Sequence, residues 1–100
     1  MDPTFTFESE LVPWSSDKAS WVFAHVPVDE SEEIRDLVPD RNGFGSIKVR
    51  GRIGDVEWST SIFPDSSSGG FVLPLKKQVR KDAGVDVGDH VEIEIDVLIT

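Results

Sequence analysis

There is no cysteine among the 100 residues, which excludes a disulfide staple and any thiol chemistry. Tyrosine is also absent and histidine occurs only twice, so few side chains remain that could act as nucleophile or as base near neutral pH. No run of eighteen apolar residues occurs, so no membrane-crossing helix is expected. The opening MDPTFTFESE lacks both a basic and an apolar leader region, so no secretory signal is expected and the cytoplasm is the default setting. Positive charge is scarce: 10 basic residues stand against 19 acidic ones, a net charge of −9. That balance favours solubility and repels nucleic acid and anionic membrane at long range.

What is present suffices for one folded domain spanning residues 1–100. Hydrophobic residues make up 38% of the chain and aromatics 9%, too rich for a disordered segment. The basic residues are unevenly placed, eight of the ten falling between Arg41 and Lys81.

Local periodicity predicts mostly strands. Phe5, Phe7, Ser9 and Leu11 alternate with Thr4, Thr6, Glu8 and Glu10 up to Pro13, the pattern of a half-buried strand. Ser15 to Lys18 reads as a polar turn. Ser20 to Val26 is apolar on both faces, with Trp21, Phe23 and His25 on one and Val22, Ala24 and Val26 on the other, so both faces are expected to be covered. His25 is expected to be a hydrogen-bonded structural imidazole. Asp29 and Glu32 have capping-box spacing, which predicts a short acidic helix to about Leu37 with Ile34 and Leu37 inward. Pro39 to Gly43 forms a loop.

Ile47, Val49, Gly51 and Ile53 share one face of the next strand, and Lys48, Arg50 and Arg52 the other. Gly54-Asp55 is a two-residue turn of the II′ kind, which fixes the register of the returning strand. Ile53 then faces Val56, Gly51 faces Trp58 and Ile47 faces Ile62. On the other face Arg52 meets Glu57, Arg50 meets Ser59 and Lys48 meets Ser61. Arg50 and Lys48 thus have no acidic partner within the hairpin. Either they hold a phosphate, sulfate or carboxylate with the serine hydroxyls, or acidic groups of the first strand or first helix neutralise them.

Asp65 to Gly70 reads as a flexible loop without P-loop spacing. Phe71 to Pro74 is a short apolar strand leading into a second helix, with Leu75, Val79 and Ala83 inward, Lys76, Lys77, Arg80 and Lys81 outward, and Gly84 as its cap. Gly88-Asp89 turns into a last strand with Val91, Ile93, Ile95, Val97 and Ile99 inward. Asp86, Asp89 and His90 read as turn formers, and no metal or cofactor site is expected. Five to seven short strands with two brief helices suggest a small closed β-barrel.

The run from Phe71 to Ile95, with strand, proline, short basic helix, glycine and Gly-Asp turn, resembles half of an AbrB-type swapped-hairpin barrel. Over about residues 5–96 the chain is similar to a bacterial domain-of-unknown-function family, number nineteen-oh-five. The residues that carry this are Arg41 to Ser46, Trp58, Ser61 to Pro64, Leu73-Pro74, Val79 to Lys81 and Gly88-Asp89. The resemblance implies a mainly β, double-split, AbrB-like barrel in which one chain supplies both halves, compatible with a monomer.

Three classes of function follow. The first is a non-catalytic module binding a small anionic ligand or a protein partner, with Lys48, Arg50, Ser61, Lys76, Lys77 and Arg80 as the candidate contacts. The second is a DNA-binding regulator, by analogy with AbrB-type proteins and against the net charge. The third is a small barrel enzyme using carboxylate acid–base chemistry, for which no nucleophile motif is present.

Overall fold

Alternation of apolar and polar residues drives most of the architecture. The computed structural model describes residues 3–13, 21–38 and 45–98; the expectations for 15–18, 39–43 and Ile99 lie outside that range. The elements are β1 (Thr4–Glu10), β2 (Val12–Pro13), β3 (Val22–Val26), α1 (Val28–Leu37), β4 (Ile47–Ile53), β5 (Val56–Asp65), β6 (Gly70–Leu75), α2 (Lys77–Ala83) and β7 (His90–Val97). The chain is mainly β, with the seven strands in one antiparallel half-barrel sheet of order β1-β7-β4-β5-β6-β3-β2. Leu11 alone separates β1 from β2, yet these two strands lie at opposite ends of that order. Among the described residues no helix is long and apolar enough to cross a membrane.

The central hairpin has the register that its turn dictates: Ile53 faces Val56, Gly51 faces Trp58, Lys48 faces Ser61 and Ile47 faces Ile62. Gly54 has φ +56° and Asp55 is not in the left-handed region, as a II′ turn requires. A Cβ on Gly51 would stand 2.8 Å from the Trp58 ring, so the indole lies over the glycine.

Inward faces of the strands build one core. Phe7, Leu11, Val22, Ala24, Val26, Ile47, Val49, Ile62, Phe71, Leu73, Ile93, Ile95 and Val97 are among its buried members. Leu11 is fully buried and breaks the first strand in two, so Thr4 to Pro13 is not one continuous strand.

The helices depart from the expected details. α1 begins directly after Pro27, which occupies the N-cap with ψ 152° and offers no side-chain acceptor. Asp29 is therefore inside the first turn rather than at the cap, where its charge still suits the helix dipole. Ile34 is buried, but Leu37 is exposed, and the second inward residue is Ser31. Leu75 belongs to β6, not to the second helix, and pairs with Val22. Gly84 ends α2 in the left-handed conformation, as its position predicts. Arg80, expected outward, is buried: its Nε donates to the Leu75 carbonyl at 3.3 Å and a terminal nitrogen reaches Asp86 at 3.2 Å. A long side chain laid back over the short helix ties β6 to the turn that follows.

Candidate functional site

The basic strip of β4 is the first place to look. Arg50 does face Ser59, but the other neighbour of β4 is β7, and there Arg50 stands opposite Asp96. Its guanidinium lies 3.6 Å from the Asp96 carboxylate, which also accepts a 2.7 Å hydrogen bond from Thr4. Arg52 bonds Glu57 at 2.9 Å and Glu94 through Nε at 2.7 Å, and approaches Asp96 at 3.7 Å. Hydrogen bonds to Glu57 first and Glu94 second push the Arg52 pKa above its ordinary value. The neutralising carboxylates thus come mainly from the last strand, not from the first strand or first helix.

Of the six candidate contacts, Lys48 and Ser61 are brought face to face, and Lys48 is exposed with no ion pair among the described residues. Lys76 and Lys77 are exposed at the start of α2, and neither a hydrogen bond nor an ion pair joins them to β4 among the described residues. Arg80 is withdrawn into the structural contacts described above. Arg50 and Arg52 thus carry ion pairs to carboxylates of β5 and β7.

Asp86 and Asp89 form a turn, as expected. Asp86 accepts from the Val87 amide at 2.8 Å, Asp89 accepts from the Asp86 amide at 2.9 Å, and the Asp89 amide donates to the Asp86 carbonyl at 3.0 Å. The amide of Val87, then Arg80, hold the Asp86 carboxyl below its ordinary pKa.

A different surface has the shape of a site. On the outer side of β3, β6 and β5, a cavity of about 400 Å³ is lined by Trp21, Phe23, Phe63, Pro64, Asp65, Ser66, Val72 and Pro74. The pairing places Phe23 opposite Pro74, and Val72 opposite both His25 and Phe63, so outward residues of three strands converge. The inward residues Val22, Ala24, Leu73 and Ile62 of the same strands are fully buried, which fixes the direction of the outward set. Contrary to expectation, the second face of β3 is only partly covered: Phe23 is half-buried, His25 is exposed, and Trp21 just before the strand is 56% exposed.

Asp65 supplies the cavity's carboxylate. It ends β5 and orders the turn behind it: Oδ1 accepts from the Ser67 amide at 3.3 Å and from the Ser67 hydroxyl at 2.9 Å, and the Gly69 amide donates to its carbonyl at 2.9 Å. The segment expected as a flexible loop is therefore a hydrogen-bonded turn. Hydrogen bonds from Ser68 and then Ser67 hold the Asp65 carboxyl below its ordinary pKa, with His25 adding to the effect. The His25 ring meets Asp65 at 3.8 Å, so its imidazole stands at the rim as an exposed neighbour rather than inside the core.

With the geometry in place, comparison with known families becomes informative. Residues 7–95 match the family described as Domain of unknown function (DUF1905). The chain belongs to that family. No curated protein matches it. The DUF1905 match includes every residue that lines the groove. The sequence had pointed instead to Lys48, Arg50, Ser61, Lys76, Lys77 and Arg80, none of which lines the groove. The signal for the groove was present in the doubly apolar strand Trp21 to Val26 and in the exposed-type pair Phe63-Asp65. Nothing local to either stretch says that they meet.

Proposed function

We propose that this DUF1905 domain is a non-catalytic binding module that takes a small, largely apolar organic molecule into the groove between β3, β5 and β6. The observation that carries the reading is the cavity of about 400 Å³ walled by Trp21, Phe23 and Phe63 with one carboxylate in it. Small-molecule sites combine such apolar walls with a few placed polar groups, at volumes of roughly 300–1,000 Å³. Exposed aromatics on a sheet face gain from burial by a ligand and lose nothing from the core. The site in this reading lies on β5, β6 and β3 rather than on the basic strip of β4.

The scaffold in this reading is a closed double-split barrel of AbrB-like type, made by one chain working as a cytoplasmic monomer. Its support is the segment Thr4 to Pro13, which pairs with β7 through β1 and with β3 through β2, and so reaches both ends of the strand order.

A ¹H–¹⁵N chemical-shift titration with benzyl alcohol tests the site. Shifts should concentrate at the Trp21 indole and at the amides of Phe23, Asp65 and Val72, with a Kd on the order of millimolar for so small a probe. Trp21→Ala should remove the binding and leave the melting temperature nearly unchanged. Absence of shifts into the tens of millimolar would overturn the proposal. So would a concentration-dependent dimer that covers the same residues.

A further inference from the structure

We infer that the groove selects a positively charged head group, and that its ligand is a small organic cation of the quaternary or alkylated ammonium type. The cation occupies the groove proposed above, so this inference rests on that groove being a ligand site. Three aromatic rings, Trp21, Phe23 and Phe63, line the cavity together with the Asp65 carboxylate, and among the described residues none of the lining is lysine or arginine. The faces of aromatic rings carry negative potential and attract cations, most strongly at tryptophan. An anion entering the same space would meet the Asp65 carboxylate at close range.

Asp65 is suited to this role by what holds it. Ser67 binds it from the turn side through both backbone and hydroxyl, with the hydroxyl 2.9 Å from Oδ1 and 3.1 Å from Oδ2. These donors fix the carboxylate and favour its ionised form. Among the described residues the basic group that meets it is His25, at 3.8 Å and exposed. At longer range the net charge of −9 draws cations toward the protein.

The poverty of polar atoms decides the kind of cation. Among the described residues of the lining, Asp65 and Ser66 are the polar side chains besides the Trp21 indole N–H. A metal ion needs about six oxygen ligands, and a primary ammonium needs three acceptors to replace its water. An alkylated ammonium spreads its charge over methyl groups, holds water weakly and packs those groups against aromatic and proline faces. The lining therefore fits a hydrophobic cation and not a hydrated one.

The test compares benzyltrimethylammonium, benzyl alcohol and benzoate at matched ionic strength, each followed by shifts at the Trp21 indole. The cation should bind tighter than the alcohol by roughly five- to thirtyfold, with benzoate weakest. Asp65→Asn should bring the cation's affinity close to that of the alcohol measured on the same variant. The unmodified protein gives a second readout free of any folding defect, since added salt should weaken the cation and spare the alcohol. Binding of the alcohol with no preference for the cation, or with benzoate preferred, overturns the cation inference and leaves the groove standing. If none of the three probes binds, both fall.

Discussion

Ser31→Ala is a small change with a large expected effect. Ser31 lies in the first half of α1 with no exposed surface. Its hydroxyl donates to the Val26 carbonyl at 3.2 Å and accepts from the Phe71 amide at 3.1 Å. Val26 and Phe71 are register partners in β3 and β6, so one hydroxyl stitches the helix to the ends of both strands. Gly70 leaves the room for it, since a Cβ there would come within 2.9 Å of the Ser31 oxygen. Alanine removes about one methyl-sized polar group and creates almost no cavity, so the loss is mainly that of two buried hydrogen bonds. A buried donor left without its partner costs about 1–3 kcal/mol. For a domain of this size each kcal/mol moves the melting temperature by about 4–8 °C, so a central loss near 2 kcal/mol predicts a fall of about 8–16 °C. The assay is thermal unfolding followed by circular dichroism, with benzyl alcohol titration of the variant alongside it. The Arg35 guanidinium, which stacks 5.1 Å over Phe71 and donates to the Gly69 carbonyl at 2.7 Å, should keep the Asp65 turn in place. A fall of less than about 3 °C would refute the reasoning, because it would mean that the hydroxyl is not the stitch between β3 and β6.

Two more perturbations bear on the same scaffold. Gly51→Ala places a methyl 2.8–3.0 Å from three atoms of the Trp58 ring. It should destabilise by about 1–3 kcal/mol as the indole tilts, visible as a lower urea midpoint and altered tryptophan fluorescence; a stabilised variant would contradict the packing. The folded-state carboxyls of Asp65 and Asp86 titrate below their unfolded value of 3.8. Their contribution is therefore present above that value and is lost as pH falls through the lower folded one. The melting temperature should be level above about pH 5 and decline below about pH 4, less steeply in an Asp65→Asn, Asp86→Asn double variant. A double variant with an unchanged acid limb would place the effect on other carboxylates.

Local rules carried the hairpin and missed its neighbour. The Gly54-Asp55 turn dictates every β4–β5 pair because a two-residue loop permits one register, and the structure has those pairs. The fate of Arg50 depends on Asp96, 46 positions later, and no periodicity within the hairpin encodes that adjacency. The first helix shows the same limit at shorter range. Asp29 and Glu32 have the spacing of a cap, but Pro27, with its fixed φ of −56°, already directs the chain into the helix two residues earlier. The groove was legible only in half. Trp21, Phe23 and His25 announce an apolar outward face, while its being only partly covered depends on β5 and β6, whose own sequences are silent about β3.

The pairing of β1 with β7 has a temporal side. Thr4 bonds Asp96 across 92 positions, so at roughly 5–20 residues per second a ribosome needs roughly 5–18 s to deliver the partner strand. Throughout that interval Phe5 and Phe7 lack the β7 partners that they have in the finished sheet. The finished sheet already sets Glu8 against Glu92 and Glu10 against His90, so this edge carries like charge across its own pair, and a second copy brought alongside would meet the same repulsion at Glu8 and Glu10.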